Sequence, residues 1–206
     1  MPNVSRPTGY RPVKHVNGSP FNGQVTLYVL LASDSTACAV GDLVDLSGAA
    51  DANGIPAVTR ATSATGPFLG AIVGFLPSGT SPVDGTLQTG TADLSLSGFR
   101  PASTLRYCLV ADSPDVVYEA QGSGTFVWNA DPGLNANTTT TAAGANGNAG
   151  VSNMQVDLAT KAVTATLGIK ILGASRRVDQ DLADGTNVKL EVMINNHRKN
   201  QGIAGV

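Results

Sequence analysis

The chain has 206 residues, of which 42% are hydrophobic and 14% are charged, and its formal net charge at pH 7 is −2. This balance is too acidic for a general nucleic-acid binder, and no stretch approaches the roughly 20 apolar residues that a membrane-spanning helix needs. Few charges and 24 glycines suit a β-protein with many tight turns, or a protein whose surface is largely covered by partners. Residues 1–20 lack the apolar run of a signal peptide, so we expect the chain to fold in a cytoplasm.

Residues 1–24 are predicted to form an extended N-terminal arm. Prolines and glycines recur throughout this segment, and proline fixes φ and lacks an amide donor, so neither a helix nor a central strand is expected. Apolar residues alternate with cations, which indicates a segment that lies on another surface. The candidate partner-binding residues are Arg6, Tyr10, Arg11, Val13, Lys14, His15, Val16 and Phe21.

Charge is unevenly distributed along the chain. Residues 1–33 contain three cations and no acid, whereas residues 34–99 contain six aspartates and one arginine. A basic arm on an acidic body indicates an arm that reaches the acidic surface of a neighbouring subunit. The same pattern is explained equally well if these charges only keep the protein soluble.

Residues 25–200 are predicted to form a β-rich body. Runs of β-forming residues, each bounded by Gly, Pro, Asp or Ser, recur at the spacing of sandwiches and barrels. These runs are residues 24–32, 39–46, 55–61, 68–76, 106–111, 115–120, 125–128, 164–172 and 188–195. We therefore predict an all-β fold, an antiparallel β-barrel or β-sandwich of about eight or nine strands with long loops.

Other segments between these runs are harder to assign. Residues 152–155 have the form of a helix capping box, yet residues 155–158 alternate like a strand, and residues 178–183 suit one helical turn. Residues 129–151 are predicted to be a long low-complexity loop, either disordered or ordered by a partner, and residues 80–91 resemble them. Residues 201–206 are predicted to be a C-terminal tail.

No combination of residues in the sequence indicates a catalytic or metal-binding site. His15 and His197 lie in the arm and near the end, and with Cys38 and Cys108 they do not have zinc-site spacing. Both cysteines lie in apolar contexts, which favours buried free thiols over a disulfide. In the acidic run beginning at Asp179, the positions of the acidic residues and the glycine do not match those of a calcium-binding loop. We predict a non-enzymatic protein with no catalytic residue, metal, cofactor or small-molecule substrate.

Two further side-chain arrangements could in principle cleave or bind sugars, but neither fits that role. Asp115 and Glu119 are too far apart along a strand to act as a glycosidase pair, at roughly 13 Å by strand rise. Trp128 is the only tryptophan, and it suits a core or interface position better than a sugar-stacking platform.

Residues 9–24, GYRPVKHVNGSPFNGQ, resemble the N-terminal block of small structural proteins of tailed bacteriophages, encoded beside the major capsid protein. Segments 41–46, 68–75, 106–115, 171–173 and 192–195 are similar to those proteins in their order. The resemblance implies a capsid decoration (cement) protein, a β-rich unit that clamps capsomers from outside, usually as a symmetric oligomer. The family has no catalytic motif to carry over.

The resemblance also implies partners and a location. The expected partners are the major capsid protein and further copies of this chain, in a homotrimer or homodimer, with no nucleic acid and no membrane. The expected location is the capsid surface of the virion, after assembly in the host cytoplasm. The alternatives are a tail or baseplate component and a virion glycan-binding module.

Overall fold

The computed structural model describes residues 3–77, 98–141, 150–181 and 183–200. The described residues form fifteen β-strands and no helix, which confirms the all-β class. In chain order the strands are β1 (Arg11–His15), β2 (Thr26–Leu30), β3 (Cys38–Ala39), β4 (Leu43–Ala50), β5 (Pro56–Arg60), β6 (Gly70–Phe75), β7 (Phe99–Arg100), β8 (Arg106–Ala111), β9 (Val116–Ser123), β10 (Thr125–Phe126), β11 (Asn135–Thr138), β12 (Val156–Ala162), β13 (Ile169–Ala174), β14 (Gly185–Thr186) and β15 (Lys189–Ile194).

Five strands close into a small barrel, which we call the first barrel, in the order β2-β5-β4-β6-β8. All of its pairs are antiparallel except β2 with β5. A barrel of this size has room only for side chains. Its smaller core consists of Tyr28, Leu30, Cys38, Val44, Val58, Leu69, Ile72, Cys108 and Val110. Both cysteines are buried free thiols, as the apolar contexts predict.

The other large unit is a six-stranded sheet in the order β1-β9-β12-β11-β13-β15. Strand β15 also pairs with β9, so the sheet closes on itself through β9, β12, β11, β13 and β15. Strand β1 lies outside this closed set and pairs with β9. The contact of β12 with β9 is parallel and short, whereas the other pairs are antiparallel. Closure leaves few free strand edges for unwanted pairing.

The two units share one apolar interface. Leu43 and Val44 are consecutive on β4, and because strand side chains alternate between faces, Val44 enters the first barrel while Leu43 joins the larger core. Ala71 and Ala111 likewise face the six-stranded sheet from β6 and β8. Parts of β4, β6 and β8 are therefore buried on both faces, which suits the apolar runs of β6 and β8.

All nine predicted strands correspond to strands of the structure, but the number of strands was underestimated. Of the added strands, β3, β7 and β14 are two residues long, β11 and β12 are longer, and β1 lies in the predicted arm. Of residues 155–158, which suited either a helix or a strand, residues 156–158 begin β12. The turn at residues 178–179 is not helical, contrary to the expectation for residues 178–183 within the described part.

The predicted loop 129–151 is wrong at its centre, because β11 (Asn135–Thr138) lies within it. Three of its four residues are Asn or Ala, which have weak strand preference, yet β11 pairs with both β12 and β13. Pairing on both edges overrides the local preference. Residues 142–149, residues 80–91 and the predicted tail 201–206 lie outside the described residues.

Residues 196–199, which we call the C-terminal segment, follow β15 and cross to the first barrel. The N–H of Phe68 donates to the carbonyl of Asn196 at 2.9 Å, and the N–H of Arg198 donates to the carbonyl of Phe68 at 2.8 Å. The guanidinium of Arg198 then pairs with both carboxylate oxygens of Asp45 on β4. The segment thus joins the two units.

Candidate functional site: the N-terminal arm

The described part of the arm, residues 3–24, lies on the chain's own body. Its strand β1 pairs antiparallel with β9, with Arg11 opposite Glu119 and His15 opposite Val116. The ladder is irregular between Pro12 and Lys14. A proline is compatible with an outer strand and a bulge, so the segment forms a strand despite its prolines.

Tyr10 anchors the arm in the larger core. Its exposed fraction is 0%, its hydroxyl donates to Thr138 Oγ1 at 2.8 Å, and its ring lies edge-on to Tyr118 at 6.4 Å between centroids. Burial raises the pKa of this phenol. In this structure the aromatic ring of Tyr10 therefore fills a pocket of its own chain, whereas the sequence predicted a pocket on a partner.

The backbone beside Tyr10 approaches a loop of the first barrel very closely. The N–H of Tyr10 donates to the carbonyl of Gly41 at 2.8 Å. Gly9 has a φ of +67°, and a Cβ at this position would lie 2.3 Å from the oxygen of Gly41. Only glycine fits this conformation and this contact.

The start of the arm is held by polar side chains of the body. Buried Gln121 accepts the N–H of Arg6 at 2.8 Å, and the ammonium of Lys189 donates to the carbonyl of Arg6 at 2.6 Å. The side-chain amide of Asn187 donates to the carbonyl of Asn3 at 3.4 Å. We call Gln121, Asn187 and Lys189, together with the edge of β9, the arm seat.

Residues 13–21 fold back on themselves and form the arm hairpin. The N–H of Phe21 donates to the carbonyl of Val13 at 3.2 Å, and the N–H of His15 donates to the carbonyl of Ser19 at 2.8 Å. Phe21 packs against the larger core and, at 6.0 Å, against the ring of His15. Val13 and Val16 are 38% and 57% exposed, so the hairpin presents apolar surface to solvent.

A groove of 650 Å³ lies between the arm hairpin and the turn that precedes β9. Its lining combines polar and apolar groups and carries little charge, with Asp115 as the acidic residue. The lining residues are His15, Val16, Asn17, Ser19, Pro20, Asn22, Gln24, Ser113 and Asp115. Exposed valines beside a weakly charged groove have the composition of a protein-contact surface.

The cations of the arm differ in what they contact. Lys14 pairs with Glu191 Oε2 at 2.6 Å, so its ammonium is engaged within the chain. Arg6 and Arg11 have exposed side chains. Arg11 lies opposite Glu119, whose carboxylate accepts from Ser175 and Arg177. Lys14 thus forms an ion pair with an acid of β15, outside the acidic stretch 34–99.

The arm seat was not found from the sequence. Its residues come from β9, from the turn before β15 and from the start of β15, more than 100 positions from the arm, and no local pattern marks Asn187 or Lys189 as part of a site. A weak signal exists at Gln121, a long polar side chain that continues the apolar strand β9 and is fully buried. A buried amide needs hydrogen-bond partners, but the sequence does not say which.

The ionisable residues near the C-terminal segment form a structural network. The hydroxyls of Thr26 and Tyr28 and the ammonium of Lys199 all donate to the Asp112 carboxylate. Burial raises the pKa of Asp112, but these donors lower it more, so the net shift is downward. His197 is buried and accepts the N–H of Lys199 at its Nδ1.

Comparison of this chain with known protein families, with curated protein sequences and with solved structures found no match. Among the described residues, no three or more His, Cys, Asp or Glu side chains converge in a way that could hold a metal ion. The part of the chain that the structure describes contains no helix long and apolar enough to cross a membrane.

Proposed function

We propose that this protein is a virion structural protein of a tailed bacteriophage, a decoration (cement) protein that binds the outside of the head and bridges capsomers. The observation that supports this role best is the arm hairpin, which presents Val13 and Val16 beside a weakly charged groove. The resemblance to phage structural proteins is strongest over residues 9–24, which include this hairpin. Its partners would be the major capsid protein and further copies of the chain, as a homotrimer or homodimer.

The contact surface proposed from the structure contains fewer residues of the arm than the sequence predicted. Val13, Val16 and the groove would form its centre, with Arg6 and Arg11 at the rim. Tyr10 and Lys14 support the hairpin from within, through Thr138 and Glu191 respectively. A weakly charged centre suits such a contact, because burying an unpaired charge is costly. Many weak contacts of this kind would stabilise a head collectively.

The scaffold suits this role as well. The two closed units share one core, and the C-terminal segment joins them, so the hairpin projects from a fixed position. A rigid contact element loses less conformational freedom on binding than a free arm would. The role needs no catalytic group, and we propose none.

The alternatives place the same fold elsewhere in the virion. A tail or baseplate component would use the same hairpin on a different partner. A glycan-binding module would use Trp128, but this ring packs edge-on against Phe126 at 6.0 Å and against the larger core. Less of its face is therefore open for a sugar, which favours the protein-contact role.

Binding to heads tests the proposal directly. In Val16→Asp a charge replaces an exposed apolar side chain at the hairpin, so folding is retained while the contact is weakened. We expect at least a roughly 10-fold loss of affinity for expanded heads in a co-sedimentation assay, as for truncation of a central interface residue.

The matched control is Val163→Asp, which changes a valine that is 87% exposed just after β12. We expect this variant to sediment with heads as the unmodified protein does. Head binding by Val16→Asp equal to that of the control would overturn the assigned surface. Failure of the unmodified protein to bind heads at all would overturn the decoration role.

A further inference from the structure

We propose that the arm of one copy of this chain binds the arm seat of a second copy, so that exchange of arms links the copies. The proposal concerns contacts between copies and does not depend on the head-binding role. It can be tested on purified protein with no capsid present.

The arm binds its seat as a separate peptide would. The hydrogen bonds that hold residues 3–6 join them to residues 115 to 184 positions away, and none depends on chain continuity between arm and seat. The pairing of β1 with β9 likewise joins segments more than 100 residues apart. An identical arm from another copy would make the same contacts.

The connection between the arm and the body is open. Residues 22–24 are exposed and, within the described part of the chain, make no hydrogen bond. Gly23 has a φ of +84° and no atom within 4 Å of where a Cβ would lie, so its backbone has room to change conformation. This connection leads from the six-stranded sheet into β2 of the first barrel. It can therefore act as the hinge of an exchange.

The chemistry of the seat favours reversible exchange. Gln121, Asn187 and Lys189 bind the arm through polar hydrogen bonds, which water can replace while the arm is detached. Tyr10 is the exception, since its buried ring must leave the larger core, and this sets a barrier to opening. Exchange should thus be slow but should not require unfolding of both units.

The closed and exchanged forms contain the same arm contacts, so protein concentration decides between them. A short linker gives its own arm an effective concentration in the mM range, which favours the closed form in dilute solution. Exchange becomes competitive when neighbouring copies reach a similar local concentration. Copies that sit side by side on a repeating surface would meet this condition.

A disulfide lock tests the proposal. Arg11 and Glu119 are Cα partners in the β1–β9 ladder, and directly opposed residues lie within the range that a disulfide spans. The double variant Arg11→Cys/Glu119→Cys, oxidised in dilute solution, should fix each arm on its own seat. Cys38 and Cys108 are buried and should not interfere.

Analytical ultracentrifugation then measures association up to about 1 mM, where exchange should compete with closure. We expect dimers or larger species for the unmodified protein and for the reduced double variant, and monomers for the oxidised variant. Equal association of the oxidised and reduced forms would overturn the proposal. A strictly monomeric unmodified protein would also overturn it.

A mixing experiment identifies the contact itself. Arg11→Cys with a size tag is incubated with untagged Glu119→Cys and then oxidised. Because an arm on a foreign seat places the thiols at mM effective concentration, we expect about 10-fold more mixed disulfide than with Val163→Cys as the untagged partner. Equal yields with the two partners would overturn the proposal.

Discussion

The two ends of the described chain carry positive charge, and both lie on the chain's own body, but they are held in different ways. The arm is held mainly by side-chain hydrogen bonds to its backbone, by a short strand and by one buried ring, with a single ion pair from Lys14 to Glu191. The C-terminal segment is held by ion pairs, from Arg198 to Asp45 and from Lys199 to Asp112. The arm contacts mostly the six-stranded sheet, whereas the C-terminal segment joins the sheet to the first barrel.

This difference separates a fixed end from an exchangeable one. The C-terminal segment continues directly from β15 and pairs its backbone with Phe68, so no exposed hinge precedes it. The arm is followed by the open residues 22–24. Positive charge at a chain end therefore does not by itself indicate contact with a partner, because here Arg198 neutralises an aspartate of the same chain.

The largest expected effect is at the tight contact of the arm. Gly9→Ala places a Cβ against the oxygen of Gly41 and keeps a positive φ, so we expect the free energy of unfolding to fall by about 3 kcal/mol. Gly18→Ala is the matched control, since Gly18 has a φ of +87° but open space around it. Its expected loss is about 1 kcal/mol. Urea denaturation measures both, and equal losses would show that the Gly9–Gly41 contact contributes nothing.

A smaller effect is expected at the C-terminal segment. The side chains of Arg198 and Asp45 are 12% and 21% exposed, and Arg198→Ala removes a two-point ion pair, so we expect a loss of about 2 kcal/mol. Lys199 is 44% exposed, and solvent screens its ion pair, so Lys199→Ala should cost less than about 1 kcal/mol. Urea denaturation of both variants compares them. A larger loss for Lys199→Ala would contradict the view that Arg198 joins the two units.

The smallest expected effect is the net pH dependence between about pH 4 and pH 6.5, because a buried carboxyl beside the arm and a buried histidine in the C-terminal segment make contributions of opposite sign in this range. Burial raises the pKa of Asp42, beside Gly41 under the arm, from 3.8 to about 6. Between these values the folded carboxyl retains a proton that the unfolded one has lost, so stability falls as pH rises. Burial, and then the Lys199 charge, lower the pKa of His197 from 6.5 to about 4. There the unfolded histidine is protonated first, so stability falls as pH falls.

The two contributions act over nearly the same pH range and should largely offset each other. Asp42→Asn should leave the histidine contribution, so its stability should fall more steeply than that of the unmodified protein as pH drops from about 6.5 to about 4. His197→Asn should show the opposite difference. Denaturation curves across this range measure both slopes. Parallel curves for the two variants would mean that neither group is shifted as described.

Much of the fold was predictable from local sequence, but the candidate site was not. The run at residues 106–111 predicts β8, because a short, largely apolar run bounded by turn residues is typical of a buried strand. In contrast, β1 contains Pro12 and three of the four residues of β11 are Asn or Ala, so neither has a strong local strand signal. Both strands form because a neighbouring strand supplies the hydrogen bonds. The pocket of Tyr10 was not predictable for the same reason, since it is built from distant residues such as Tyr118 and Thr138.

The sequence by itself determined the all-β class, the nine principal strands and the two buried thiols. Each of these follows from properties of neighbouring residues, namely strand periodicity, turn residues and apolar context. Only the tertiary structure decided that the strands close into two units with a shared core, and that the arm rests on Gln121, Asn187 and Lys189. These features depend on contacts between residues far apart in the chain, and no local pattern specifies which distant partner a polar or apolar side chain will meet.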